Sequence, residues 1–310
     1  MPRPRHAIVC LNQTPYYHCI SRCVRRAFLC GQDHYSGRSY EHRRDWLEQK
    51  LLNTASLFAI KLCAYAIMHN HYHVVLHVRT DLAEAWSTRD VIERWHQLFC
   101  GTALSSRYLS NTSLSKAEHR ALNTLVRQWR SRLTSISWFM RVVNEAIARQ
   151  ANAEDECTGR FWEGRFKSQA LMDETALLAC MTYVDLNPIR ATQAETPETS
   201  EFTGVRHRIK ALAGLKPPHD ALEAFTGVVD GARGIPYRLK DYLELVDWTA
   251  SQVGTVKRGV MDANLPPILD RLGLELADWL GVSTRFERHW GLHIDLHTIQ
   301  RCFGPRCSSP

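Results

Sequence analysis

The sequence lacks an apolar run long enough to cross a bilayer, because charged residues interrupt every hydrophobic stretch before the roughly 20 residues that a spanning helix needs. It also lacks a secretory signal and a Cys-x-x-Cys pair, although it contains 10 cysteines. Scattered cysteines of this kind predict reduced thiols, not a disulfide framework. We therefore expect a cytoplasmic protein with no membrane partner.

A glycine-rich loop that could cradle nucleotide phosphates is missing as well, so nothing predicts a nucleotide cofactor. Apolar residues make up 45% of the 310 residues and charged residues 23%, which is typical of a soluble protein with a well-formed core. Lysine and arginine outnumber the acids 39 to 32, for a formal charge of +7. This balance favours polyanionic partners such as nucleic acid.

Hydrophobic periodicity predicts an alternation of strands and helices. The predicted strands are at 16–21, 59–68, 71–78 and within 159–170, and the predicted helices are at 40–58, across 82–133, at 136–151 and at 173–186. This order is that of an α+β layer in which helices pack on an antiparallel sheet. Residues 193–200 have the composition of a linker, so we predict one domain over 1–192 and a mainly helical domain over 201–310.

Two histidines lie two residues apart in the strand predicted at 71–78. Strand alternation places His71 and His73 on one face, and Tyr72 and Val74 on the other. Neutral imidazole is a good ligand for divalent metals, and two histidines on a rigid strand can share one ion. Exposed or hydrogen-bonded histidines without a metal are the structural alternative.

A tyrosine and an asparagine are separated by one helical turn near the end of the helix predicted at 173–186. Tyr183 and Asn187 are four residues apart and would share a helix face. A phenol hydroxyl and an amide oxygen could thus meet one metal site. A half-buried core tyrosine and an asparagine that merely ends a helix fit the same pattern.

The segment 159–167 interleaves basic and aromatic residues. Such a segment can carry a single strand of DNA, because bases stack on the rings and phosphates meet the cations. An edge strand with a solvated basic face is the alternative. The candidate DNA contacts are Arg160, Phe161, Trp162, Arg165, Phe166 and Lys167, together with Arg22, Arg25, Arg26 and Arg190.

Four motifs in a fixed order carry a resemblance to a known family. They are Tyr-Tyr-His-Cys-Ile-Ser-Arg-Cys-Val-Arg-Arg, Met-His-Asn-His-Tyr-His, Gly-Arg-Phe-Trp-Glu-Gly-Arg-Phe-Lys-Ser and Tyr-Val-Asp-Leu-Asn-Pro-Ile-Arg-Ala. With them the sequence resembles the single-tyrosine HUH transposases, and among these the REP-associated tyrosine transposases. The resemblance covers residues 15–191. It departs from the family at His69, where proline is common, and over 82–133, which is an insertion.

The resemblance implies a ferredoxin-like antiparallel sheet with packed helices, the HUH endonuclease fold, plus a mainly helical C-terminal extension. It implies that His71, His73 and Asn187 hold Mg²⁺ or Mn²⁺. It also implies that Tyr183 attacks a DNA phosphate, which leaves a 5′-phosphotyrosine and a free 3′-hydroxyl. The implied partner is single-stranded DNA with hairpin-bearing ends. A monomer and a homodimer both remain open.

The C-terminal third lies outside the resemblance. Ala277 precedes Gly281 by four residues, the spacing of a helix-turn-helix, so 201–310 could bind DNA, although an ordinary helical hairpin fits the same residues. Two other functions also remain open. One is a DNA-binding regulator that no longer cuts, and the other is a metal-dependent phosphodiester hydrolase that uses water, in which Tyr183 would be structural.

Overall fold

The computed structural model describes residues 9–24, 29–33, 37–227, 233–253, 267–289, 291 and 293–303. The strands are β1 Tyr16–Arg22, β2 Ile60–Ile67, β3 His71–Val78, β4 Lys167–Leu171 and β5 His293–Ile294. The helices are α1 His42–Leu57, α2 Thr80–Ala85, α3 Thr88–Leu98, α4 Ala103–Leu109, α5 Lys116–Leu133, α6 Ile136–Glu154, α7 Glu174–Asp185, α8 Asn187–Arg190, α9 Gly204–Leu212, α10 Leu239–Val253, α11 Pro267–Arg271, α12 Leu276–Arg285 and α13 Leu296–Phe303. A 3₁₀ turn, Phe286–His289, follows α12 directly.

The five strands form one sheet in the order β2-β3-β1-β4-β5. Strands β1 to β4 pair antiparallel, and helices connect β1 to β2 and β3 to β4, which is the ferredoxin-like βαββαβ arrangement. The predicted α+β fold is therefore confirmed. The edge strand β5 is an addition, because it pairs parallel to β4 and makes the sheet mixed instead of purely antiparallel.

Strand alternation in β3 divides its side chains between two cores. Tyr72, Val74 and Leu76 enter the core that α1 and α6 cover. His73 and Val75 point to the opposite face, where Val75 packs in the core that contains α7. Both faces of the sheet are thus covered, and the two histidine side chains of interest belong to the α7 face.

The insertion between β3 and α6 adds a group of aromatic rings to the core that α1 and α6 cover. Its helices α3, α4 and α5 each begin with a capping box, at Ser87, Thr102 and Ser115, where side chains and backbone N–H groups bond reciprocally. The rings of Trp95 and Trp129 stack with centroids 5.1 Å apart. This structure agrees with the helical pattern predicted across 82–133.

Helix α7 is fixed at its start by Asp173. The Asp173 carboxylate accepts a hydrogen bond from the backbone N–H of Ala176 at 2.7 Å, which satisfies one of the free donors of the first turn. The helix ends at Asp185, and a new short helix, α8, begins at Asn187. Tyr183 and Asn187 therefore lie on successive helices, not on one continuous helix as the sequence predicts.

The C-terminal elements pack on the α7 face of the sheet. Residues of α9, α10, α12 and α13 share one core with α7. The division into domains 1–192 and 201–310 stays a prediction.

The helix-turn-helix interpretation is wrong, because Ala277 and Gly281 both lie inside the continuous helix α12. Within the part of the chain described, no helix is both long enough and apolar enough to cross a membrane.

Candidate metal and tyrosine site

A histidine-carboxylate cluster lies where β3 meets the C-terminal 3₁₀ turn. His71, His73 and Glu287 offer ligand atoms that all lie within 4.8 Å of one another. Nε2 of His73 is 3.2 Å from Oε1 of Glu287. His71 is partly exposed and His73 is fully buried, so the cluster has one side open to solvent and one side within the protein.

Tyr183 lies against this cluster. Its ring centroid is 6.0 Å from that of His73, and the nearby Glu287 carboxylate helps to raise the pKa of its phenol. Phe286 stacks on one side of the tyrosine ring at 5.5 Å, and the guanidinium carbon of Arg190 lies 3.9 Å from the ring centroid. The tyrosine is therefore almost enclosed, with 7% of its surface exposed.

Burial sets the protonation of the cluster. It lowers the pKa of His71 to about 4, with a further contribution from the positive charge of Arg22, and it lowers the pKa of His73 well below the ordinary value. Both imidazoles are thus neutral at physiological pH, which is the form that binds metals. Burial also raises the pKa of the Tyr183 phenol, while the Arg190 guanidinium opposes that rise.

The donor set fits a divalent metal ion. Two imidazole nitrogens and one carboxylate oxygen are ligands of hydrolytic and phosphoryl-transfer metal sites. Among the described residues, Nε2 of the fully buried His73 has no hydrogen-bond partner, despite Glu287 nearby. A buried nitrogen without a partner is costly, and a bound cation would satisfy it.

Both histidines are held by polar neighbours on their other ring nitrogen. Nδ1 of His71 is 2.6 Å from Oδ1 of Asn70. Nδ1 of His73 is 3.0 Å from Nε2 of His18, a fully buried residue of β1. In each case the contact leaves Nε2 as the atom available to a ligand.

A basic cavity of about 320 Å³ adjoins the cluster. It is lined by Ile20, Arg22, Glu163, Gly164, Arg165, Lys167 and Glu287. The chain shapes this cavity through backbone pairing, because the N–H of Glu163 donates to the carbonyl of Arg22 at 2.9 Å. Three of the predicted DNA contacts, Arg22, Arg165 and Lys167, are exposed, and their role stays a prediction. Arg25 and Arg26 lie outside the described residues.

The aromatic residues of the 159–167 segment mainly face inward. Phe161 is in the core with 3% of its surface exposed, and the indole N–H of Trp162 donates to the carbonyl of Asn144 at 2.8 Å. Phe166 is half-buried and Arg160 is exposed. In this conformation the segment presents cations to solvent, while its first two rings anchor it to the protein.

Asn187 and Arg190 lie beyond the end of α7. Asn187 is buried, and its side-chain nitrogen has no hydrogen-bond partner within the described chain. Its role as a metal ligand stays a prediction. Arg190 donates a hydrogen bond to the carbonyl of Ser283 at 2.8 Å while its guanidinium covers Tyr183. The structure thus brings Arg190 to the tyrosine, with part of its donor capacity used by α12.

Sequence analysis missed three members of this site. Glu287 and Phe286 belong to the C-terminal third, where no motif indicated a link to the histidines. His18 lies within the first motif, and its alternation with Tyr17 and Cys19 along β1 could have predicted that it shares a face with His73 once the strands were paired. Asn70 was part of the second motif but had no assigned role.

No family model matches this sequence, and no curated protein matches it. Among solved structures, the chain is similar to a REP-associated tyrosine transposase bound to a REP hairpin. The two share 12% sequence identity, and the similarity covers 72% of this chain and 92% of the other, with a TM-score of 0.36.

Proposed function

We propose that this protein is a transposase or endonuclease that cuts and rejoins single-stranded DNA through a covalent bond to Tyr183. One observation carries the proposal: the ring of Tyr183 packs against His73 in a cluster of two neutral histidines and a carboxylate. A tyrosine at a candidate metal site beside a basic cavity is suited to attack a phosphodiester. The motif resemblance supports the same chemistry.

The chemistry assigned to Tyr183 is an in-line attack on a DNA phosphorus. A bond forms between the phenol oxygen and phosphorus, and the bond to the 3′-oxygen breaks, so the products are a 5′-phosphotyrosine and a 3′-hydroxyl. The phenol proton passes to the nearby Glu287 carboxylate, and the departing 3′-oxygen takes up a proton from solvent. The reverse step rejoins the strand without a nucleotide cofactor, because the covalent link to tyrosine conserves the energy of the broken phosphodiester bond.

The metal proposed for this site is Mg²⁺ or Mn²⁺, held by His71, His73 and Glu287, with Asn187 as a further candidate ligand. When bound, the ion supplies positive charge that polarises the scissile phosphate. Arg190 lies over the Tyr183 ring, where its charge stabilises the phenolate that attack requires. Loss of either charge should slow cleavage more than it weakens DNA binding.

The proposed path of the DNA follows the basic cavity. Arg22, Arg165 and Lys167 are exposed and line the cavity that ends at Glu287, so they can bind phosphates on either side of the cut. Arg160, Arg25, Arg26 and the half-buried Phe166 remain proposed contacts. Phe161 and Trp162 support the segment from within, because Phe161 is in the core and Trp162 bonds to Asn144.

A covalent-trapping assay tests the proposal. The protein is incubated with labelled single-stranded hairpin DNA and Mg²⁺ or Mn²⁺, and a protein-linked DNA band is sought on a denaturing gel. We expect a band that disappears in Tyr183→Phe and in His71→Ala. Tyr72→Phe is the matched control, since Tyr72 is a buried tyrosine on the opposite face of the sheet, bonded to Asn144 at 2.7 Å.

A metal-dependent phosphodiester hydrolase is the second candidate, because two histidines and a carboxylate also serve water-based hydrolysis. In that case Tyr183→Phe should still cleave DNA, and no linked species should form. Binding without cleavage would indicate the regulator instead. Either result would refute the covalent mechanism.

A further inference from the structure

His18 contacts His73, a candidate metal ligand, at the ring nitrogen that does not face Glu287. It lies in β1 with no exposed surface, and its Nε2 is 3.0 Å from Nδ1 of His73. The two rings are nearly parallel, with centroids 5.3 Å apart and an interplanar angle of 17°. His18 has no part in the function proposed above.

Strand pairing fixes this contact. In the β1–β3 register, Ile20 is opposite His73 and His18 is opposite Val75, so His18 and His73 are diagonal neighbours on one face of the sheet. The edge of Phe286 packs against the His18 ring at 5.8 Å. The sheet and this aromatic contact together restrict rotation of the His18 ring.

The direction of the hydrogen bond between the rings determines what His73 can bind. A neutral imidazole has one N–H and one lone pair. If Nδ1–H of His73 donates to His18, then Nε2 of His73 presents its lone pair toward Glu287 and the candidate metal position. In the opposite tautomer, Nε2 of His73 carries the proton and cannot bind a cation.

We propose that His18 is a positioning residue, which accepts the hydrogen bond from Nδ1–H of His73 and so fixes Nε2 of His73 as the metal-facing atom. Nε2 of His73 makes no hydrogen bond among the described residues but lies 3.2 Å from Oε1 of Glu287, a separation that lets both atoms bind one cation. This inference rests on the proposed metal site but not on the tyrosine chemistry.

The neighbouring ligand has an equivalent support. Oδ1 of Asn70 lies 2.6 Å from Nδ1 of His71 and can accept a hydrogen bond from its N–H in the same way. Metal-binding histidines generally donate their second N–H to an acceptor, and removal of that acceptor typically costs 10- to 100-fold in metal affinity. His18 takes the place usually filled by a carboxylate or a carbonyl.

Mn²⁺ binding by the full chain tests the role of His18 without any DNA substrate. Mn²⁺ titration, followed by electron paramagnetic resonance of the free ion, compares the wild type with His18→Phe and His18→Gln. Phenylalanine keeps the ring and removes the acceptor, whereas glutamine supplies an amide oxygen near the position of Nε2. We expect roughly 10- to 100-fold weaker binding for His18→Phe and a return to within about threefold for His18→Gln.

His77→Gln is the matched control. His77 is a buried histidine of β3, the strand that contains His73. Its Nδ1 pairs with Glu223 at 2.6 Å and not with a residue of the cluster. Its replacement should leave Mn²⁺ affinity unchanged. If His18→Phe binds Mn²⁺ like the wild type, His18 has no positioning role, although the metal site stands. If the wild type binds no Mn²⁺, both the metal site and this inference are wrong.

A second measurement does not depend on any variant. Nitrogen-15 chemical shifts of histidine in the Mg²⁺-loaded wild type report which ring nitrogen of His73 carries the proton. We expect the proton on Nδ1. A proton on Nε2 would overturn the inference, whatever the stability of His18→Phe.

Discussion

Asp185 lies two residues after Tyr183 and is fully buried at the end of α7. Its carboxyl accepts hydrogen bonds from the Tyr242 hydroxyl at 2.6 Å and from the Val205 N–H at 3.2 Å. Burial nevertheless raises its pKa from 3.8 to about 7, because the charged form loses its hydration. Asp185 therefore links the stability of the tyrosine helix to pH.

The sign of the effect follows from the two pKa values. Between pH 4 and pH 7 the carboxyl is ionised in the unfolded chain and protonated in the folded one, so unfolding releases a proton. Its contribution to stability is complete below about pH 4 and is lost as the pH rises through 7. A rise of about 3 pKa units corresponds to a loss of about 4 kcal/mol, of which roughly 3 kcal/mol falls between pH 5 and pH 8.

We expect Asp185→Asn to remove this loss. The amide keeps the shape of the side chain, can accept from Val205, and can bond to Tyr242 without a charge. Urea unfolding of the wild type and the variant at pH 5, 6, 7 and 8 gives the difference in unfolding free energy at each pH. That difference should shift in favour of the variant by about 3 kcal/mol across the series.

Glu48 provides a control of opposite sign. Burial alone would raise its pKa, but hydrogen bonds from His207 and Tyr65 lower it below the ordinary value. The stability that Glu48 contributes is present at neutral pH and is lost as the pH falls. Glu48→Gln should therefore be less stable than the wild type at neutral pH and approach the stability of the wild type in acid. A difference between wild type and Asp185→Asn that does not change with pH would refute the reasoning, since it would mean that Asp185 ionises near its ordinary pKa in the folded protein.

Two further predictions concern the DNA path and the insertion. Arg165 is exposed and has no ion pair among the described residues, so Arg165→Ala should reduce the slope of log affinity for single-stranded DNA against log salt by about 0.7. Arg141→Ala, which removes an arginine paired with Glu145, should leave the slope unchanged, and equal slopes for all three proteins would exclude the proposed path. Trp129 is 3% exposed in its stack with Trp95, so Trp129→Ala should lower the unfolding free energy in urea by about 3 to 5 kcal/mol. A loss below about 1 kcal/mol would show that the stack adds little.

The central sheet was predictable because its strands have clear patterns. The strand predicted at 71–78 has the boundaries found for β3, and the Asp173 cap and Pro188 bracket the helix predicted at 173–186. The edge strand β5 was not predictable, because two residues are too few for a periodic signal. Its pairing depends on the sheet edge that β4 offers, which is a tertiary property.

The site was predictable where its residues share one element, and not where they meet across the fold. His71 and His73 are brought together by a single strand, so alternation suffices. Glu287 reaches them only because α12 packs on α7, a contact that no local pattern encodes. Phe161 was misjudged for a related reason. Its place in a basic and aromatic segment predicts a ring that stacks on bases, but the ring is buried in the core.

The residues of the site are synthesised far apart in time. Glu287 is made 214 residues after His73, which at about 5 to 20 residues per second is a delay of roughly 10 to 40 s. During that interval the nascent chain has the histidines and then the tyrosine but no Phe286 or α12 to cover them, and the apolar surface of α7 stays open to other chains. The apolar face of α7 that α12 and α13 cover is therefore buried only at the end of synthesis.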